Sequence, residues 1–283
     1  MDYTAAQRQA IETIDRNLQI IACAGSGKTQ VISARIVRIL QQGVPPSAVV
    51  AFTFTEKAAG ELKDRIDRLA RETLGSSQGL GDMFVGTIHG YCLNLLQSPP
   101  LYRYLKYTVL DEVQQRLNID RHSTKSGLTS VPLLNGGTLK RWLDSRLYQD
   151  VISIYREADV DEARVPEGVR AAIEQYTGLM HEQRYLDYTM IMSEAVAELE
   201  TNPLLRQQIA GQVRYVVVDE YQDVNPLQER LVRALHGLGA NLCVVGDDDQ
   251  TIYQWRGSEV DNIITFARRY PDVVQVRLNE NFR

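Results

Sequence analysis

The segment from Ile20 to Thr29, I-I-A-C-A-G-S-G-K-T, runs from apolar residues into a loop of small ones that closes on Gly-Lys-Thr. Those residue types in that order suit a polyphosphate. Small side chains at Ala24, Gly25, Ser26 and Gly27 let consecutive backbone N–H groups turn inward onto phosphate oxygens. Lys28 supplies a cation for the β and γ phosphates and Thr29 a hydroxyl for Mg2+, at the positive N-terminal end of the following helix. The full G-x-x-x-x-G-K-[ST] spacing asks for glycine at 22, where the chain has Ala22. A methyl group still lets the backbone turn.

A second constellation lies far along the chain, where V-R-Y-V-V-V ends in Asp219-Glu220. Adjacent acids after a strand also suit a helix N-terminus. Beside a phosphate loop they suit metal-assisted phosphate chemistry, with Asp219 holding the metal through its water shell and Glu220 polarising the attacking water.

Parallel strands can bring these groups together, because ligands bind beyond their carboxyl ends. Apolar, β-rich runs occur at 18–22, 49–53, 213–218, 242–246 and 273–278, with helical patterns between most of them. Val31, Ile32, Ile36, Ile39 and Leu40 give one such helical face, stopped by Gly43 and Pro45-Pro46. The fold class expected is α/β, a parallel sheet flanked by helices. Residues 96–204 read instead as helix and loop, with Leu117, Leu139, Trp142, Leu143, Leu147 and Ile154 spaced like helix faces. They are taken as a mainly helical subdomain inserted into a discontinuous α/β domain of 1–95 and 205–283.

The composition of the 283 residues is that of a globular protein, 44% hydrophobic, without a membrane-length apolar run or a secretory leader. Cys23, Cys92 and Cys243 are far apart and read as reduced core residues of a cytoplasmic protein. The net charge of −5 opposes nucleic-acid binding by global electrostatics, yet residues 101–146 carry eight Lys/Arg against four Asp/Glu and 147–203 four against twelve. That split suits either one face meeting a polyanion or two ordinary solvated helix faces.

Seven segments in order give the chain a resemblance to the N-terminal half of superfamily 1 DNA helicases of the UvrD/Rep/PcrA type. They are Gln7, A-G-S-G-K-T at 24–29, F-T-F-T-E-K-A-A at 52–59, G-T-I-H at 86–89, D-E-Y-Q-D at 219–223, V-G-D-D-D-Q-T-I-Y-Q-W-R-G at 245–257 and L-N-E-N-F-R at 278–283. The resemblance implies a RecA-like P-loop NTPase domain using Mg-ATP, and a role for each matching residue. Gln7 would read the adenine edge, Phe282 would stack on the ring, and Gln30 would stand beside it where relatives carry arginine. Gln250 resembles a γ-phosphate sensor, Arg283 an arginine that reaches the γ-phosphate, and Arg256 a tie between the nucleotide and DNA sites. Phe54, His89, Tyr253 and Trp255 match positions lining a single-stranded DNA path, a role aromatic faces suit because every base can stack on them. Core packing is the other reading of Tyr253 and Trp255.

Two further departures stand out. Phe282 replaces the usual tyrosine, and L-D-Y-T-M-I at 186–191 lacks the paired acids relatives carry after Leu-Asp-Phe. The resemblance makes the expected function the ATP-driven motor of a 3′-to-5′ helicase or translocase on single-stranded DNA or a single/double-strand junction, without a membrane partner. The sequence stops at Arg283, ahead of a second RecA-like domain, so unwinding by these residues alone is not expected. Two alternatives stay open: the motor subunit of a helicase–nuclease or defence complex, and an ATP-switched module that binds DNA or a partner.

Overall fold

Capping, burial and parallel pairing together set the elements. The computed structural model describes residues 3–23, 25–134, 136–158, 160–247 and 261–282. Helix α1 (Ala5–Glu12) opens with a reciprocal capping box in which Thr4 Oγ1 accepts from the Gln7 N–H and Gln7 Oε1 from the Thr4 N–H. Strand β1 (Leu18–Ala22) leads through the small-residue loop into α2 (Lys28–Gln41), whose Val31, Ile32, Ile36 and Ile39 are fully buried. Next come β2 (Val49–Thr53), α3 (Glu56–Leu74), β3 (Phe84–Thr87) and α4 (Ile88–Leu96). Thr55 caps α3 through the Ala58 N–H, Ala59, Leu62, Ile66 and Ala70 bury one face, and Gly75 at φ 72° ends it.

The chain divides into two compact units, residues 1–91 with 199–283, and residues 92–198. The second unit contains β4 (Thr108–Val109), α5 (Glu112–Arg121), α6 (Ser145–Glu157), α7 (Glu167–Gln183), β5 (Tyr185–Leu186) and most of α8 (Tyr188–Thr201). Its core is pinned by a buried ion pair, Arg156 Nη1 to Asp187 Oδ2 at 3.1 Å. Tyr176 also donates its hydroxyl to Asp187, which caps α8 by accepting from the Met190 N–H. The aspartate of L-D-Y-T thus has structural work to do. Removing one partner of such a pair typically costs about 3–5 kcal/mol.

Returning to the first unit, the chain forms α9 (Pro203–Gln212), β6 (Tyr215–Val218), α10 (Pro226–Gly237), β7 (Asn241–Gly246), α11 (Asp261–Arg269) and β8 (Val274–Leu278). Six strands make one sheet in the order β3-β2-β6-β7-β1-β8, and every pairing is parallel. The architecture is mixed α/β, a parallel sheet flanked by helices, as in RecA-like P-loop domains. Parallel pairing puts all six carboxyl ends on one edge, so the loop after β1 and the acids after β6 share it. Among the described residues no helix is long and apolar enough to cross a membrane.

Several sequence expectations change. Strand β3 went unanticipated, since four residues that include glycine carry little β signal. Cys92 and Cys243 are buried, but Cys23 is exposed, because it lies past the end of β1 at the mouth of the loop. In the second unit only Leu139 of the six expected face residues is buried. Trp142 sits in a turn at φ 67° with its N–H on Asp120, and Leu117, Leu143, Leu147 and Ile154 are exposed.

Candidate functional site

The phosphate loop is held open by its backbone. Gly25 and Gly27 take φ 82° and 84°, values that side chains with a β-carbon disfavour, and Gly27 is the N-cap of α2. Ser26, almost fully buried, donates its hydroxyl to Cys23 O at 2.7 Å and leaves the N-terminal N–H groups of α2 for a ligand. Gln7 crosses to the loop, its Nε2 donating to Ser26 O at 3.2 Å. Phe282 also reaches the loop, its N–H donating to Gly25 O at 3.0 Å. Gln7 and Phe282 line one cavity together with Thr4, Ser26, Leu278 and Glu280.

Lys28, the first residue of α2, extends toward the exit of β6, where its Nζ lies 3.3 Å from Glu220 Oε2. Glu220 is in the left-handed region at φ 50° and accepts a second bond on Oε2 from Gln222 Nε2 at 2.8 Å. Its N–H is held by Asp219 Oδ1 at 3.0 Å. Burial, and then the Glu220 charge, push the Asp219 carboxyl up to about 6. Asp223 is pushed up to about 6 by the same two causes. A divalent cation beside these acids would favour their ionised forms. Thr29 hydroxyl and Asp219 carboxylate are therefore a chemically fitting donor set for Mg2+ bound with a polyphosphate.

Gln30 does not stand alone where arginine was expected. Its Nε2 donates to the Tyr3 hydroxyl at 3.1 Å, and Arg65 Nη1 donates to its Oε1 at 3.2 Å, so a guanidinium from α3 arrives beside it. Along the same carboxyl edge, Phe54 follows β2 and is 46% exposed, while His89 is the second residue of α4. Burial lowers the His89 pKa and favours the neutral imidazole. Phe52, Phe84 and Tyr91 support this corner as a cluster of edge-to-face rings, with centroids 5.1 to 6.2 Å apart.

Ala24, Gln250, Tyr253, Trp255, Arg256 and Arg283 lie outside the described residues. Sequence reasoning passed over Tyr3 and Arg65, which touch the site through a partner distant in the chain, and Gln222, which touches it through Glu220 and Asp247. The signal available for Gln222 was its place in D-E-Y-Q-D.

Comparison with known proteins matches residues 3–271 to the UvrD/REP helicase N-terminal domain. The ATP-dependent DNA helicase UvrD1 of Mycobacterium leprae is 33% identical over 300 residues, covering 98% of this chain and 37% of that protein. The ATP-dependent DNA helicase PcrA of Staphylococcus aureus is 31% identical over 288 residues, with the same coverage of both chains. The chain thus spans little more than a third of the length of these curated relatives.

Proposed function

This chain belongs to the UvrD/REP helicase family, and from that premise we propose that it is the ATP-hydrolysing motor domain of a DNA helicase that moves 3′ to 5′ on single-stranded DNA. The observation that carries the reading is the convergence of Lys28 and Glu220 across two parallel strands' carboxyl ends, 3.3 Å apart. A binding module needs the lysine. A hydrolase needs the acid held beside it.

In this reading the loop N–H groups and Lys28 bind and orient the triphosphate, and Glu220 takes the proton of the attacking water. Thr29 and Asp219 would hold Mg2+, which when bound would neutralise phosphate charge. Gln7 meets the adenine edge and Phe282 its face. Gln250 and Arg283 would act at the γ-phosphate. Phe54 and His89, with Tyr253, Trp255 and Arg256, would line the single strand. Residues 96–204 serve as the inserted subdomain. A second RecA-like domain would close over the nucleotide and add an arginine, a contribution of roughly 10³–10⁵ in turnover among P-loop enzymes.

The test is phosphate release from Mg-ATP with and without single-stranded DNA, on this chain and on a form extended through a second RecA-like domain, each with Lys28→Ala as control. Lys28-dependent release that DNA stimulates in the extended form supports the proposal. Release that survives Lys28→Ala in both forms, or release that DNA leaves unstimulated in the extended form, overturns it.

A further inference from the structure

Gln222 is 4% exposed, and both ends of its amide are committed. Nε2 donates to Glu220 Oε2 at 2.8 Å, while Oε1 accepts the Asp247 N–H at 3.2 Å. The orientation is dictated, since a flipped amide would set oxygen against carboxylate and NH2 against N–H. Gly246 makes room for it. A β-carbon there would lie 2.5 Å from Gln222 Oε1 and 2.7 Å from Ile263 Cδ1.

The turn carrying Gln222 is fixed from behind. Tyr221 donates its hydroxyl to Glu229, which also accepts from Tyr270 and pairs with Arg269, and Asn262 Nδ2 donates to Val224 O at 2.7 Å. Gln222 is thus a short rigid strut between the acid after β6 and the backbone at the exit of β7. Lys28, the other donor to Glu220 Oε2, is a cation for which a triphosphate competes. The neutral amide of Gln222 is a donor that phosphate does not draw away.

We propose that Gln222 is a positioning residue that ties the Glu220 carboxylate to the backbone of Asp247, so that the acid and the segment leaving β7 move together. The proposal rests on the ATPase reading above for its kinetic consequence, though not for the tie itself. Glu220 keeps one orientation when Lys28 turns to the phosphates. A shift of the Asp247 backbone is transmitted to the acid.

Two variants separate the halves of the strut. Gln222→Glu keeps an acceptor for the Asp247 N–H but removes the donor to Glu220, and Gln222→Met removes both. Without nucleotide, amide exchange at Asp247 is expected to stay slow in Q222E and to quicken by about tenfold in Q222M, the scale of one lost hydrogen bond. The Gln222 side-chain amide resonance of the unaltered chain is expected to shift on Glu220→Ala. With Mg-ATP, both variants are expected to lose about tenfold to hundredfold in kcat, as a misplaced group does, with KM little changed.

Unchanged Asp247 exchange in Q222M, or an unmoved side-chain resonance in E220A, overturns the tie. A loss carried by KM with kcat intact overturns the positioning role. If the unaltered chain and its extended form show no Lys28-dependent phosphate release, the ATPase reading fails by itself, and the exchange and resonance data still decide the strut.

Discussion

Lys28 Nζ stands 3.3 Å from Glu220 Oε2, so the phosphate loop and the acid after β6 share one charge contact. Their side chains contribute to different steps, and substitution separates them. Lys28→Ala removes a charged donor and is expected to weaken ATP binding by about tenfold to hundredfold, the range for a charge-assisted hydrogen bond. Glu220→Gln still offers Lys28 an oxygen and is expected to leave binding nearly unchanged, while phosphate release falls by about 10²–10⁴. Calorimetric ATP titration beside a phosphate-release assay checks both, and equal weakening of binding by the two variants would contradict the assignment.

Asp219 gives the site a pH dependence of definite sign. Burial and the Glu220 charge raise its carboxyl to about 6, above its ordinary range near 4. Between those values the folded chain holds a proton that the unfolded chain has released, so stability falls as pH rises through the window, and the whole penalty is present above about 6. A bound Mg2+ prefers the ionised acid, so Mg-nucleotide affinity is expected to rise between pH 5 and 7, by up to about tenfold per unit below the pKa. Asp219→Asn should flatten that profile. Asp223 is raised to about 6 as well, so Asp223→Asn tests which acid governs the affinity, and persistence of the full slope in Asp219→Asn would transfer the role.

Gly27 shows how the loop geometry is protected. At φ 84°, with a β-carbon placed 3.2 Å from Gln7 Nε2, Gly27→Ala strains the backbone and presses on the bond from Gln7 to Ser26 O. The expected cost is about 1–2 kcal/mol, the scale of a left-handed residue that is not glycine. Gly178 in α7 has open space around it and no positive φ, so Gly178→Ala is expected to gain about 0.5–1 kcal/mol. Urea unfolding at constant slope measures both, and a neutral Gly27→Ala would mean that the loop tolerates another path.

What the sequence made legible was local chemistry. Ala24 through Thr29 spell out a phosphate cradle because six neighbours suit one task, and Asp219-Glu220 sit at the end of an apolar, β-rich run that forms β6. Gln222 depends on Asp247 and Gly246, neighbours supplied by the β6–β7 pairing rather than by the chain order. Helix α6 failed for another reason. It carries two apolar stripes, Tyr148 with Ile152 and Leu147 with Ile154, and periodicity alone does not say which stripe the core takes. The hydroxyl of Tyr148 decides it, lying 2.8 Å from both Ser126 O and Ala172 O inside the unit and sharing its one hydrogen between them.

Phe54 offers the sharpest test of the DNA reading. It is 46% exposed at the carboxyl exit of β2, so its removal opens no core cavity. Phe54→Ala is therefore expected to change folding stability by less than about 0.5 kcal/mol, as exposed substitutions usually do. If bases stack on it, affinity for single-stranded DNA falls by about 1–3 kcal/mol, and by the same factor for oligo-dT and mixed sequences, because every base offers a π-face. Phe54→Tyr keeps the face and should restore binding. The salt slope should be the same in all three proteins, since it counts phosphate contacts that Phe54 does not make. Anisotropy titrations at several salt concentrations measure each quantity. A changed slope would place the loss on the phosphates, and an unchanged affinity would remove Phe54 from the strand's path.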